Sequence, residues 1–312
     1  MNKIVASQID CKTAEELVNL LSPLGEYFRG QPDAQWLFRG QCQDYPLIPS
    51  LFRNDPVSLD KLRSFTKRNI SDLSELRKLE RDLLIDFFEM ADKQGLALPD
   101  DSQELRSFFE RMKDNDHMVS QGWGGWQMEY KSLSLMSLAQ HYGIPTRLLD
   151  WTRQSYIAAF FAAEGVYKNL ESLDKSSRLV VWAFNFPAFG KQTIHADNYF
   201  IRGITAPGAT NLNLKAQQGA FTLVSPHYSG EWSGKYLPLD EVLGKFEGMG
   251  SESSDVAKLA KSSNLQKFTL PVQQSEELLY LLSKLGVTYS SVYPGYQSIK
   301  SDLQLQNRWK RS

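Results

Sequence analysis

The sequence predicts an α+β fold with surrounding helices, and three observations carry that expectation. Short β-rich runs such as 35–40 and 178–184 are scattered along the chain instead of alternating with helices of regular length. Amphipathic, charge-laced helical patterns are gathered into blocks of their own, above all between residues 59 and 120. No glycine triplet follows a strand, as a dinucleotide-binding βαβ unit would require.

Taken in order, Thr13 is a candidate N-cap for a first helix reaching Leu21, with Glu15 and Glu16 in its first turn. Residues 35–40 read as a strand ending at Gly40, and Pro46, Pro49 and Pro56 keep the following chain extended or turning. From Leu59 to Gln94, Leu76, Leu79, Leu83, Phe87 and Met90 recur at threes and fours, predicting one buried stripe. A second helical piece spans residues 102–113, and Gly122 to Trp126 reads as a flexible aromatic connector. Helices are predicted over 134–142, 157–167 and 276–285, and strands over 178–184, 199–202, 220–224, 268–271 and 290–293. The domain expectation is a single unit over 1–312, with a helical insertion at about 59–120 and a mobile loop at about 240–265.

Composition bounds the function. The 35 basic and 36 acidic residues of this 312-residue chain leave a net charge of −1, so no global field draws it to nucleic acid or to anionic membranes. The basic cluster Arg308, Lys310 and Arg311 reads as a solvated tail. Two cysteines, Cys11 and Cys42, exclude a disulfide scaffold. The four histidines, His117, His141, His195 and His227, lack metal-ligand spacing, so no metal is expected. The N-terminal residues lack the apolar core of a signal peptide, and no apolar run approaches a membrane span. The expectation is a soluble cytoplasmic protein with no membrane partner.

Three blocks carry candidate chemistry. In the first, Phe38-Arg39-Gly40, an arginine ends an apolar strand and the glycine beside it admits a close neighbour to the backbone. Such a guanidinium can grip a phosphate or carboxylate bidentately, or it can be structural and pair with a carboxylate such as Asp150. The second block runs from Leu138 to Thr152 and holds Gln140, His141, Tyr142, Arg147, Asp150, Trp151 and Thr152. It reads as a polar turn between two apolar helices, either a site or a helix cap with Arg147 paired to Asp150. The third, Gln217-Gln218-Gly219-Ala220-Phe221, is compatible with plain turn chemistry.

In this order the blocks resemble the FRG domain family, whose pattern runs from the Phe-Arg-Gly strand through Gln-His-Tyr-Gly-x-Pro-Thr-Arg-Leu-Leu-Asp-Trp-Thr to Gln-Gln-Gly-x-Phe. The ending, with Tyr293-Pro294-Gly295, also fits the family. More loosely, the blocks resemble the three-part signature of toxin-like ADP-ribosyltransferases, which implies a split antiparallel β core and NAD as substrate.

On that resemblance Arg39 holds an NAD phosphate or the nicotinamide ribose, with Phe38, Gly40, Gln140 and Arg147 lining the nucleotide site. Tyr142, His141 or Trp151 stacks on the nicotinamide, Thr152 fills the second position above Phe160 and Phe161, and Gln217 or Gln218 fills the third. That third position is normally a carboxylate; here Asp150, Glu164 or Glu276 would supply the charge. His141 would deprotonate the acceptor. The implied role is an intracellular toxin of bacterial anti-phage defence, modifying an RNA or DNA base or a protein, with an antitoxin protein as partner. The competing readings are a non-catalytic nucleotide or nucleic-acid binding module and an NAD glycohydrolase.

Overall fold

The sheet at the centre of the computed structural model runs β1-β8-β4-β2-β3-β7-β6-β5, with all neighbours antiparallel except the parallel pair β1–β8. The structure describes residues 7–29, 35–68, 70, 72–113, 126–169, 171–186, 194–196, 199–205, 212–226, 236–245 and 264–310. Among these, the strands are β1 (Ser7–Asp10), β2 (Trp36–Gln41), β3 (Leu148–Thr152), β4 (Arg178–Asn185), β5 (Ile194–Ala196), β6 (Tyr199–Ile204), β7 (Gly219–Pro226) and β8 (Leu265–Pro271). The helices are α1 (Ala14–Leu20), α2 (Pro56–Phe65), α3 (Leu73–Lys93), α4 (Gln103–Lys113), α5 (Trp126–His141), α6 (Ser155–Lys168), α7 (Leu212–Ala216), α8 (Leu239–Lys245), α9 (Ser275–Lys284), α10 (Tyr289–Val292) and α11 (Tyr296–Trp309). The chain is thus a mixed α/β protein, and no described helix is long and apolar enough to cross a membrane.

The junction of β2 with β3 sets the site. Those two strands are registered at one pair, Phe38 with Thr152, whereas β2–β4 and β4–β8 are registered along six and seven pairs. The sheet is therefore two four-stranded halves hinged at a single rung. One face of both halves is covered by a shared core that includes Leu37, Leu149, Trp151, Trp182 and Phe184. The other face is divided. Around β2, β4 and β8 it packs on α1, α6 and α9 through Phe38, Ala158, Val181 and Phe268. Around β3, β7 and β6 it packs on α3, α4 and α5 through Phe108, Leu135, Leu148 and Phe221. Alternation along β3 puts Leu148, Asp150 and Thr152 on this divided face, between the two helical layers.

Local chemistry fixes the ends. Thr13 caps α1 by accepting from the Glu16 amide at 3.2 Å, and Asp72 caps α3 by accepting from the Glu75 amide at 2.9 Å. Gly40 has a packing reason: a Cβ there would lie 1.9 Å from the Ala158 carbonyl oxygen and 2.7 Å from the Ala162 nitrogen. What the glycine admits is therefore the backbone of α6. Ala158, Ala159, Ala162 and Ala163 are fully buried, so the small-residue helix lies directly on β2.

Several sequence expectations change. The run 148–152 is a central strand and not part of a turn, because Leu149 and Trp151 enter one core while Leu148 enters the other. The expected strand at 290–293 is helix α10, closed by a capping box between Thr288 and Ser291. The expected stripe of α3 is wrong at Met90, which is 67% exposed, whereas Leu84, Ile85 and Phe88 are buried. Helix α3 bridges two cores, and the charged residues Arg77, Glu80 and Arg81 are buried between its apolar rows. Arg308 belongs to α11, where it pairs with Glu276 at 2.7 Å instead of trailing in solvent. Strand β1, four residues long, is not among the strands the sequence predicts. Of the expected loop at 240–265, residues 240–245 are helical and Leu265 opens β8, while 246–263 lie outside the described residues. The connector at 122–125, His117, His227, Arg311 and the side chain of His195 also lie outside them.

Candidate functional site

The site is built on β3. At its C-terminal end the Thr152 hydroxyl donates to the Gln217 carbonyl at 2.6 Å and accepts from the Gln154 amide at 3.0 Å. It thereby joins three elements: β3, the start of α6 and the turn before β7. Gln218 occupies that turn with φ of +46°, a conformation an L residue adopts at a cost. Its carbonyl accepts from the Arg153 amide at 3.1 Å and its side chain accepts from the Gln154 amide group, also at 3.1 Å. The Gln217 side chain donates to the Val292 carbonyl of α10 at 3.3 Å. Both glutamines are engaged in holding the turn.

At the single rung between the half-sheets, Arg39 leaves β2 and its Nη1 donates to the Asp150 carbonyl at 2.9 Å. The same nitrogen is 3.6 Å from the Asp150 carboxylate. The guanidinium thus occupies hydrogen-bonding space that a longer ladder would fill with backbone. Its Nε–H is buried and has no acceptor among the described residues. Burial pushes the Arg39 pKa down to about 10, with Asp150 opposing that shift and Arg53 adding to it, so the group stays charged at neutral pH.

Asp150 is the exposed member, with 58% of its side chain accessible against 12% for Arg39. Its carboxylate also accepts from the Gln140 amide, and the Gln140 oxygen accepts from the Thr146 hydroxyl. Next along α5, His141 faces Asn213 of α7, with their nitrogens 3.4 Å apart. Burial lowers the His141 pKa below its ordinary value and the Asp150 charge works against that. Tyr142 is exposed, its ring edge-on to His141.

The blocks therefore meet. Arg39 is bonded to Asp150, Thr152 to Gln217, and Asp150 lies within the electrostatic reach of His141. Other predicted contacts belong to the interior. Phe38 is buried against Phe28 with centroids 5.2 Å apart, and Gly40 faces α6. Trp151 is buried with its indole donating to the Thr222 hydroxyl at 2.9 Å, which removes it from any stacking surface. Arg147 is wholly buried and pairs with Glu80, not with Asp150; Glu80 also accepts from the Arg147 amide at 2.7 Å. The fallback carboxylates are reduced to one: Glu164 is taken by Tyr293 and Lys168, Glu276 by Arg308, and Asp150 alone stands beside Arg39. Glu80, which positions the start of β3, was missed. Its sequence signal is only one acidic residue in a charged helix.

The matched region spans these parts. Residues 34–170 match the FRG domain. That segment runs from β2 to the end of α6 and supplies Arg39, Glu80, Gln140, His141, Asp150 and Thr152, so the match supports the FRG family. The turn at Gln217 and Gln218 that closes the site lies beyond the FRG match. No curated protein and no solved structure matches the chain.

Proposed function

We propose that the chain is an NAD-dependent ADP-ribosyltransferase, with Asp150 supplying the negative charge that Gln217 and Gln218 cannot. The observation that carries this reading is the exposed Asp150 carboxylate held beside Arg39 at the split between the half-sheets. In such a transfer the bond between nicotinamide and ribose C1′ breaks, and its electron pair leaves with nicotinamide. Positive charge then develops on the ribose, as in other glycosyl transfers. A carboxylate at that place stabilises it, and Arg39 fixes a phosphate oxygen of the substrate. A nucleophilic atom of the acceptor forms the new bond to C1′ and its proton passes to His141. The lowered pKa favours the neutral, proton-accepting imidazole at pH 7.

In the cell this activity would serve as a toxin in bacterial anti-phage defence, held in check by an antitoxin protein. The acceptor would be an RNA or DNA base, with the exposed Tyr142 ring as a stacking surface; a protein acceptor is the other outcome of the test. Incubation of the pure protein with NAD labelled on the adenylate phosphate, followed by separation of RNA, DNA and protein, tests it. Label on one of these fractions together with released nicotinamide is expected. Free ADP-ribose alone would make the protein an NAD glycohydrolase, and absence of both products sinks the enzyme reading.

A second reading, a non-catalytic nucleotide or nucleic-acid binding module, is favoured by one observation. Gln217 and Gln218 are neutral and already hydrogen-bonded to their surroundings. It predicts thermal stabilisation by the nucleotide without nicotinamide release.

A further inference from the structure

A cavity lies between α6, α9, α10 and α11, and neither Arg39 nor Asp150 lines it. Its volume of about 490 Å³ is in the range that holds one small molecule. The walls are aromatic: Phe160 from α6, Tyr280 from α9, Tyr289 from α10 and Trp309 from α11. Tyr280 and Trp309 meet edge to face with centroids 5.4 Å apart.

The polar lining has a definite sign. Lys284 and Lys310 are exposed, line the cavity and form no ion pair among the described residues. Lys284 lies 4.7 Å from the centroid of the Tyr280 ring, a cation placed at an aromatic wall. Asp302 also lines the cavity, but its oxygens are engaged with the Tyr289 amide at 2.9 Å, the Ser290 amide at 2.9 Å and the Ser290 hydroxyl at 2.5 Å. That carboxylate is committed to the N-terminus of α10, which leaves the lysines as the uncommitted charges. Gln306 adds an amide to the same lining.

We propose that this cavity is a second ligand site for a planar aromatic anion of mononucleotide size. The ring lies among the aromatic walls, and the phosphate or carboxylate lies by Lys284 and Lys310. Aromatic surface supplies most of the burial and the two ammonium groups supply the selectivity for charge. This site is independent of the reaction proposed at Asp150.

Calorimetric titration of the full chain tests it with four probes: adenosine monophosphate, indole-3-acetate, adenosine for the ring alone and inorganic phosphate for the charge alone. The monophosphate or the indole carboxylate should saturate the protein, with adenosine weaker by about tenfold or more for want of a charge-assisted contact and phosphate weaker by about tenfold or more for want of the buried ring. Which aromatic anion binds better tells a phosphate ligand from a carboxylate ligand. The double variant Lys284→Glu, Lys310→Glu should weaken binding by at least about tenfold at an unchanged melting temperature, and Arg39→Ala should leave it intact. Equal binding by the lysine variant overturns the proposal, as does saturation by neither anion. Binding lost in Arg39→Ala but kept in the lysine variant assigns the nucleotide to the other site and equally overturns it.

Discussion

Two arginine–carboxylate pairs hold β3, one at Arg147 just before the strand and one at Asp150 in its middle, and they are built in opposite ways. At the N-terminal end Arg147 and Glu80 are both fully buried, and Glu80 takes the arginine's main-chain amide as well as its side chain. At mid-strand Arg39 is mostly covered but Asp150 is open to solvent. A closed pair has no capacity for a ligand, and its worth is in fixing α3 against the strand. An open pair, held by one main-chain bond and one loose ionic contact, can exchange its carboxylate for an incoming group. The same residue types thus serve as anchor and as candidate site within five residues of one strand.

The sharpest way to break this comparison is to cut the anchor. Glu80→Gln removes the charge but keeps the shape, and takes from buried Arg147 the carboxylate that pairs with it. We expect a loss of about 3–5 kcal/mol in urea unfolding, the cost of breaking a buried ion pair from one side. A loss below about 1 kcal/mol, the size of an exposed pair, would erase the distinction between the two pairs. Next in size is Gly40→Ala, which drives a methyl into the Ala158 carbonyl and must push α6 off β2. We expect about 1–3 kcal/mol, read as a lowered melting temperature even with no ligand present. An unchanged melting temperature would mean that the glycine is not there for packing.

These two positions also show what a sequence can carry. The strand at Phe38-Arg39-Gly40 and its partner Asp150 were legible because an apolar strand ending in a cation needs an anion nearby, and few acidic residues sit inside apolar motifs. Glu80 was illegible because its neighbours, Arg77, Arg81 and Asp82, look like a solvated helix face. Only the second core, on the far side of α3, turns that face inward. Strand β3 was hidden by its length: five residues after Pro145 show too little alternation to separate strand from turn. At Gly40 the sequence marks a place of close approach, and whether helix or ligand approaches is decided by α6, which lies far along the chain.

A smaller effect is expected at the open pair. Arg39→Ala leaves the Asp150 carbonyl without its donor, which should cost about 1–2 kcal/mol, the worth of one hydrogen bond. The variant should stay folded and cooperative while nicotinamide release, or nucleotide stabilisation on the second reading, disappears. A destabilisation as large as that of Glu80→Gln would make Arg39 another anchor and remove the ground for a site there.

The finest test is the charge of His141. Burial holds its folded pKa below the unfolded value, while Asp150 pulls in the other direction. The unfolded chain therefore binds the proton more readily. The contribution of His141 to stability is fully present above the unfolded pKa, near 6.5, and is lost as pH falls from there towards the lower folded value. Asp150→Asn removes the opposing charge, so the imidazole should titrate lower still, and the window of lost stability should extend further into acid. Proton NMR of the His141 ring across the range of about pH 4 to 8 reads the unaltered chain and the variant directly. A His141 pKa that does not move in Asp150→Asn would show that the carboxylate is too well solvated to act on its neighbour. It would then be equally weak towards a developing ribose cation, and the open pair would lose its claim to chemistry while the closed pair kept its role in the fold.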